Sequence, residues 1–581
     1  MAPGLANWVA LVLTVVLGLS CLVALSEDET LDKLRFVRHA QDAPLVSQYN
    51  YIVIGGGTAG CPLAATLSEH SRVLLLERGG LPSRNMSDQQ HFTDALADTS
   101  PASPAQRFVS EDGVVNARAR VLGGGSCLNA GFYTRASTDY VRAAGWDARL
   151  VNSSYRWVER ALVFRPAVPP WQAALRDALL EAGVTPDNGF TFDHVTGTKI
   201  GGTIFDSSGQ RHTAADFLRH ARPRGLTVFL YATVSRILFR QQEGVPYPVA
   251  YGVVFTDPLG VQHRVYLRDG AKNEVILSAG TLGSPQLLML SGVGPQAHLE
   301  AHGVQVLVDQ PMVGQGVADN PMNSVFIPSP VPVTLSLVQV VGITRSGSFI
   351  EGVSGSEFGI PVSEGARRLA RSFGLFSPQT GQLGTLPPKQ RTPEALERAA
   401  EAMRRLDRRA FRGGFILEKI LGPVSSGHVE LRSADPRANP AVTFNYFQES
   451  EDLQRCVRGI QTIERVIQSR AFANFTYANA STESIFTDSA NFPVNLLPRH
   501  VNDSRTPEQY CRDTVMTIWH YHGGCQVGAV VDDDYRVFGV QRLRVIDSST
   551  FKYSPGTNPQ ATVMMLGRYM GVKIQAERWR K

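Results

Sequence analysis

The chain reads as an α/β protein (α+β overall): a discontinuous Rossmann-type dinucleotide-binding domain, with a second domain on an antiparallel sheet with helices set between its pieces. Three observations predict this. Residues 51–80 carry a complete βαβ fingerprint. Residues 330–450 alternate short strands with loops and show no Rossmann pattern. The last 70 residues then become apolar and glycine-punctuated again. At 581 residues the chain is too long for one core, so two domains are expected.

The fingerprint is read in order. The apolar run Tyr51–Ile54 is a buried strand, and it leads into Gly55-x-Gly57-x-x-Gly60. A helical stretch follows, then a second apolar strand over 72–76 that ends in Glu77. Gly55 permits the tight turn, Gly57 lets a pyrophosphate approach the backbone, and Gly60 allows close helix–strand packing. The helix N-terminus offers free N–H groups to phosphate. Glu77 stands 22 residues after Gly55, where a carboxylate meets a ribose hydroxyl. An acid there favours FAD or NAD over NADP.

Residues 81–115 read as polar and irregular. The run Gly123-Gly124-Gly125 follows, flanked by apolar residues, and implies close backbone approach to a flat or phosphorylated ligand. Helical patterns are expected at 155–163 and 171–182, and strands at 226–233, 249–256 and 261–267. Residues 274–280 form another buried strand ending in glycine, before a capped apolar helix and turn over 283–295. The arginine-rich stretch 392–412 begins Thr-Pro-Glu, a helix start, and its arginines form a solvated face.

Near the C-terminus, His520 and His522 lie two apart and share a face if the segment is a strand. No carboxylate or cysteine cluster nearby completes a metal site, so no metal is expected. A strand ends at Asp547, followed by hydroxyls, which makes Asp547 a plausible ligand contact. A neutral histidine is the natural base near pH 7. Helix is expected again at 564–570.

Bulk properties exclude other classes. Net charge is +5 and no Lys/Arg block forms a nucleic-acid groove, so no nucleic-acid partner is expected. Residues 8–25 are apolar and end in small residues, as in a secretory signal peptide of 26 residues cleaved near Ser26; an uncleaved anchor is the alternative. Cleavage would leave no stable membrane span. Five sequons, at Asn85, Asn152, Asn474, Asn479 and Asn502, fit a secretory route. Beyond Cys21 there are five cysteines, Cys61, Cys127, Cys456, Cys511 and Cys525, which allow at most two bridges and leave at least one free thiol.

Four blocks in this order (the fingerprint, 123–131, 283–295 and 520–560) make the chain resemble the glucose–methanol–choline (GMC) oxidoreductases, a flavoprotein family, over about 51–574. Within the family it is most similar to the plant branch that includes mandelonitrile lyases. The resemblance implies FAD, bound non-covalently because no histidine follows Gly123-Gly124 at the family's attachment position. Thr58, Ala59, Glu77 and Arg78 would hold the ADP part. Val121, Gly123, Gly124 and Gly125, with Asn129, Ala130, Gly131 and Phe132, would lie along the pyrophosphate and the ring system. Val234 would meet the adenine through its backbone. Trp519, Asp547, Ser548, Pro559 and Gln560 would close over the ribityl chain and flavin. His520 matches the family's catalytic histidine, and Asn558 sits where the family has His or Asn. His522 matches no catalytic position. Cys456 and Cys511 match the single disulfide of the lyase branch, which leaves Cys61, Cys127 and Cys525 as free thiols.

The implied division is 27–160, 221–320 and 506–581 for the FAD domain, the last with the catalytic residues, and 161–220 with 321–505 for the substrate domain. The implied activity is oxidation of a CH–OH group, with a long-chain ω-hydroxy fatty acid taken towards a dicarboxylic acid for plant cuticle. The electron acceptor is unspecified. The implied location is the secretory pathway, in the cell wall or extracellular space or in the endoplasmic reticulum. Three rivals stand beside it: a hydroxynitrile lyase that keeps FAD as a structural element, a non-catalytic secreted flavoprotein in surface adhesion, and a nicotinamide dehydrogenase. The lyases carry a second His at Asn558, Tyr at Ile518 and a Cys aligned near Ile350, and this chain lacks all three. Ser548 replaces the usual Gly or Ala, and 350–415 match poorly.

Overall fold

The computed structural model describes residues 34–83, 86, 100, 102–244, 246–355, 412–490 and 506–580. The leader expected at 1–26, residues 392–411 of the helix expected at 392–412, and the sequons Asn85 and Asn502 lie outside them. Asn152, Asn474 and Asn479 are exposed.

Six strands form one all-parallel sheet, in the order Val37–His39, Leu226–Leu230, Val73–Leu76, Tyr51–Ile54, Glu274–Leu277, Leu543–Val545. Its members come from distant parts of the chain, so the nucleotide sheet is discontinuous. The central strands, Tyr51–Ile54 and Val73–Leu76, are buried at every position, as a sheet covered on both faces requires. One face packs on the helices Gly60–Ser68, Ala148–Leu162 and Gln560–Trp579. In Ala148–Leu162 the Asp147 carboxylate caps Leu150 N–H at 2.8 Å, and Val151, Tyr155, Val158 and Leu162 bury one stripe. The other face packs on a four-stranded sheet, Thr233–Arg240, Val249–Thr256, Gln262–Leu267 and Val46–Tyr49, and on the helix Gly280–Leu290.

A second, seven-stranded sheet runs Met516–Thr517, Pro321–Pro328, Gly413–Ile420, Ser348–Gly355, Val340–Ile343, Gly197–Ile200, Asp187–Phe190. Every pairing but the last is antiparallel. Period-two alternation splits Gly413–Ile420: Ile416 and Ile420 pack with the helices Pro170–Glu181 and Ser450–Ile467, while Phe415 and Leu417 turn the other way. That other face roofs the cleft described below. Cys456, on Ser450–Ile467, is bridged to Cys511, with Cα atoms 6.3 Å apart, and Cys61, Cys127 and Cys525 are buried free thiols.

Several local expectations change. The stretch 81–115, read as irregular, holds the strand Ala105–Val109, which pairs with Val115–Ala119 as a hairpin. The run 226–233 is two strands broken at Tyr231, whose φ is +58°. The helix expected at 564–570 extends from Gln560 to Trp579, and Gly567 and Gly571 let it lie directly on Gly60–Ser68. No described helix is long and apolar enough to cross a membrane.

Candidate active site

Two βα turns face one cleft between the sheets. The first is the fingerprint. A Cβ on Gly60 would lie 1.9 Å from Gly55 O, so this glycine seats helix against strand. A Cβ on Gly57 would meet nothing nearer than Gly124 Cα at 3.8 Å, so the protein itself does not need a glycine there. Its bareness leaves the backbone open to a ligand. Glu77 is buried, and its two oxygens accept from Gly56 N–H at 2.9 Å and Gly79 N–H at 2.7 Å. Desolvation raises its pKa, against those donors and Arg78. Arg78 donates to Gln106 at 2.7 Å and to Ala119 O at 2.9 Å; burial lowers it to about 10.

The second turn joins Glu274–Leu277 to Gly280–Leu290. Asp547 caps it: Gly280 N–H and Ser284 Oγ donate to one carboxylate oxygen at 2.9 and 2.6 Å, and Ser549 N–H donates to the other at 2.8 Å. The strand before Asp547 ends at Val545, not at Asp547. The carboxylate is thus engaged by the protein, and Asp547 shapes the cleft chiefly by holding this helix start. Ser548 Oγ bonds Thr281 Oγ1 at 2.9 Å.

The cleft is lined by Gly55, Gly57, Thr58, Ala59, Glu77, Arg78, Gly124, Gly125, Asn129, Ala130, Gly131, Phe132, Val234, Trp519, His520, Asp547, Ser548, Asn558, Pro559 and Gln560. Gly60, Val121 and Gly123 do not line it; they act behind it, Gly123 N–H by donating to Gly56 O at 2.7 Å. Gln560 ties two walls together, accepting from Asn129 at 2.8 Å and donating to Phe132 O at 2.6 Å.

His520 and His522 do not share a strand face. The segment is irregular, with Trp519 at φ +59°, a left-handed conformation that places the two rings differently. His520 lines the cleft and His522 does not. His522 sits behind, its Nδ1 3.0 Å from His520 O, and burial lowers its pKa to about 4. Burial also holds the His520 imidazole well below 6.5, with the Lys419 and His522 charges adding to the effect. Within the cleft, His520 Nδ1 and Asn558 Oδ1 are buried without a hydrogen-bond partner.

Sequence reasoning missed Asp319. Its carboxylate is buried and accepts from His520 N–H at 2.8 Å, and from Thr517 and Tyr446 hydroxyls at 2.7 Å each. It fixes the backbone that carries the histidine. Desolvation lifts it to about 6, against those donors. It also missed Glu351 and Lys419, and it read the strand ending in glycine at 274–280 and the helix after it without placing that turn at the cleft. A signal existed for Glu351 and Lys419, a charge inside an apolar strand run, and for the turn, a strand–glycine–helix motif that repeats the first. Among the described residues, no group of three or more His, Cys, Asp or Glu could hold a metal ion.

Models of the GMC oxidoreductase family match residues 49–322 and 423–567. The chain belongs to the GMC oxidoreductases. Protein HOTHEAD of Arabidopsis thaliana is 52% identical over 92% of this chain and 89% of its own. (R)-mandelonitrile lyase 1 of Prunus serotina is 40% identical over 96% and 92%. Sinalpyl alcohol oxidase Nec3 of Nesocodon mauritianus is 42% identical over 98% and 96%. Formate oxidase of Aspergillus oryzae shares the fold, with a TM-score of 0.70 at 19% identity over 92% of this chain and 99% of that one.

As a GMC oxidoreductase the chain is a flavoenzyme, and its cleft fits FAD. Gly57, Thr58, Glu77 and Arg78 would hold the ADP end; Gly124, Gly125, Asn129 and the Gly280 turn would hold the middle; Trp519, Pro559 and Gln560 would hold the flavin end. FAD supplies the two-electron acceptor of the reaction. The protein supplies binding, orientation and a neutral imidazole.

Proposed function

We propose that the cleft oxidises a primary alcohol carried on a long apolar chain, an ω-hydroxy fatty acid taken towards the diacid. The observation that carries this reading is that His520 and Asn558, each with a buried polar atom left unpartnered, line one cleft together with the apolar side chains Val338, Val353, Leu417 and Ile518. His520, kept neutral by desolvation, takes the hydroxyl proton, and the Asn558 amide N–H donates to the hydroxyl oxygen and holds it in place. Asp319 is the positioning residue that keeps the His520 backbone in register. The apolar walls exclude water and accept the alkyl chain. The 52% identity to HOTHEAD supports this choice of branch. Three exposed sequons and the disulfide support a secretory route.

A lyase is the second reading, favoured by the 40% identity to a mandelonitrile lyase. Against it, Asn558 stands for the lyases' second histidine. Near the position aligned with their cysteine, Ile350 packs on the helix side of the sheet, and the neighbour that lines the cleft is Glu351.

The test is anaerobic mixing of the yellow holoprotein with ω-hydroxy fatty acids, aryl alcohols and mandelonitrile. Bleaching of the flavin by the ω-hydroxy acid is expected. An unbleached flavin with cyanide release would assign the lyase instead.

A further inference from the structure

The roof of the cleft holds an ion pair that the alcohol chemistry above does not use. Ser348–Gly355 and Gly413–Ile420 are neighbouring antiparallel strands in which Glu351 is paired with Leu417 and Phe349 with Lys419. Glu351, Val353, Leu417 and Lys419 line the cleft from this sheet. Glu351 Oε2 accepts from Lys419 Nζ, and both side chains are at most 1% exposed. Lys419 Nζ also lies 5.4 Å from the centre of the Phe349 ring. Capacity remains on both partners. Glu351 Oε1 is buried with no hydrogen-bond partner. An ammonium has three N–H groups, and among the described residues one hydrogen bond is made by Nζ.

Removing two charges from water is costly, and such a pair is stable only when its remaining lone pairs and protons find partners. The pair has no net charge, so it does not select an anion; Glu351 repels a carboxylate. The complementary group is neutral and both donates and accepts, as a hydroxyl does. A simple alcohol has one hydroxyl, which His520 and Asn558 take, and it would leave Oε1 unpaired beside an alkyl chain. Glu351 and Lys419 line the same cleft as His520 and Asn558, and the Lys419 charge adds to the desolvation that keeps the imidazole neutral.

We propose that Glu351 and Lys419 form a second hydroxyl subsite, so that the preferred substrate presents a neutral hydroxyl next to the reacting one, as a 1,2-diol or a hydrated aldehyde does. This rests on the alcohol reading of the cleft and sharpens its substrate class. Glu351 Oε1 accepts from the second hydroxyl, and Lys419 donates to its oxygen.

The experiment uses the FAD-loaded protein and three ligands of one chain length: hexane-1,2-diol, hexan-1-ol and 2-methoxyhexan-1-ol, whose ether oxygen accepts but cannot donate. Dissociation constants are read anaerobically from the perturbation of flavin absorbance, and kcat/KM is read where turnover occurs. The diol is expected to bind roughly tenfold or more tightly than either other ligand. In the double variant Glu351→Leu/Lys419→Met, which removes both charges together, that preference is expected to vanish. Equal binding of diol and methoxy ether to the wild type would overturn the subsite, whether or not the variant folds; so would an unchanged preference in a folded variant. If no alcohol bleaches the flavin, the alcohol reading fails on its own, and the binding ratio still decides the subsite.

Discussion

Single residues carry most of the testable content. Gly57 and Gly60 are both bare, for different reasons. A methyl at Gly57 meets only the ligand's space, whereas one at Gly60 would sit 1.9 Å from a backbone oxygen. Gly57→Ala is therefore expected to leave the melting temperature of the FAD-free protein unchanged and to weaken FAD about tenfold to hundredfold, the effect of a misplaced methyl worth about 1–3 kcal/mol. Gly60→Ala is expected to destabilise the FAD-free protein itself by on the order of 3 kcal/mol. Flavin titration and thermal unfolding of both variants check this; equal melting temperatures would contradict the division of labour. His522 gives a pH prediction. Its folded pKa, about 4, lies below the ordinary 6.5, so its contribution to stability is full above 6.5 and is lost as pH falls through 4. That loss is on the order of 3 kcal/mol across the window. Asp319 acts in the opposite sense, since its raised value of about 6 favours the fold at low pH and loses that effect as pH rises through 6. The readout is thus the difference between wild type and His522→Asn in urea unfolding. The wild type should lose more stability than the variant between pH 6.5 and 4, and parallel curves would refute the assignment.

At the scale of elements, regular periodicity was legible and irregular backbone was not. Strands such as Tyr51–Ile54 and Val249–Thr256 stand where their apolar runs place them, because burial on two faces leaves a continuous signal. Whether the histidine segment is a strand stayed open in the sequence, because nothing in a His-x-His spacing reveals the left-handed Trp519 that separates the rings. Asp547 was legible as important but not in its role, because capping of Gly280–Leu290 links residues 267 positions apart. The pairing of Cys456 with Cys511 came from the family resemblance, and its effect can be estimated from its loop. The bridge closes 55 residues and ties Ser450–Ile467 to the helix Pro507–Asp513, so the chain-entropy model gives about 4 kcal/mol. Cys456→Ala/Cys511→Ala should lower the urea midpoint accordingly while leaving the flavin spectrum of the folded fraction intact. An unchanged midpoint would contradict a structural role for the bridge.

For the whole molecule, a parallel sheet assembled from segments at 37, 51, 73, 226, 274 and 543 sets one nucleotide cleft, and the antiparallel sheet closes over it. The order of the four motif blocks made that architecture legible. The roof was not legible, since its lining residues alternate with core residues on the same strands and only the register says which side faces the cleft. That register puts Glu351 and Lys419 on the cleft that the neutral, half-buried His520 also lines. The central claim is that His520 serves as base in an alcohol oxidation. It is tested most directly by anaerobic stopped-flow reduction of the flavin by an ω-hydroxy fatty acid and by the same acid deuterated at the carbinol carbon. The wild type should bleach with a primary isotope effect, and His520→Ala should bleach about 10²–10⁴-fold more slowly while keeping its FAD. A fully loaded wild type that stays yellow, or a His520→Ala variant that bleaches at the wild-type rate, would contradict the account.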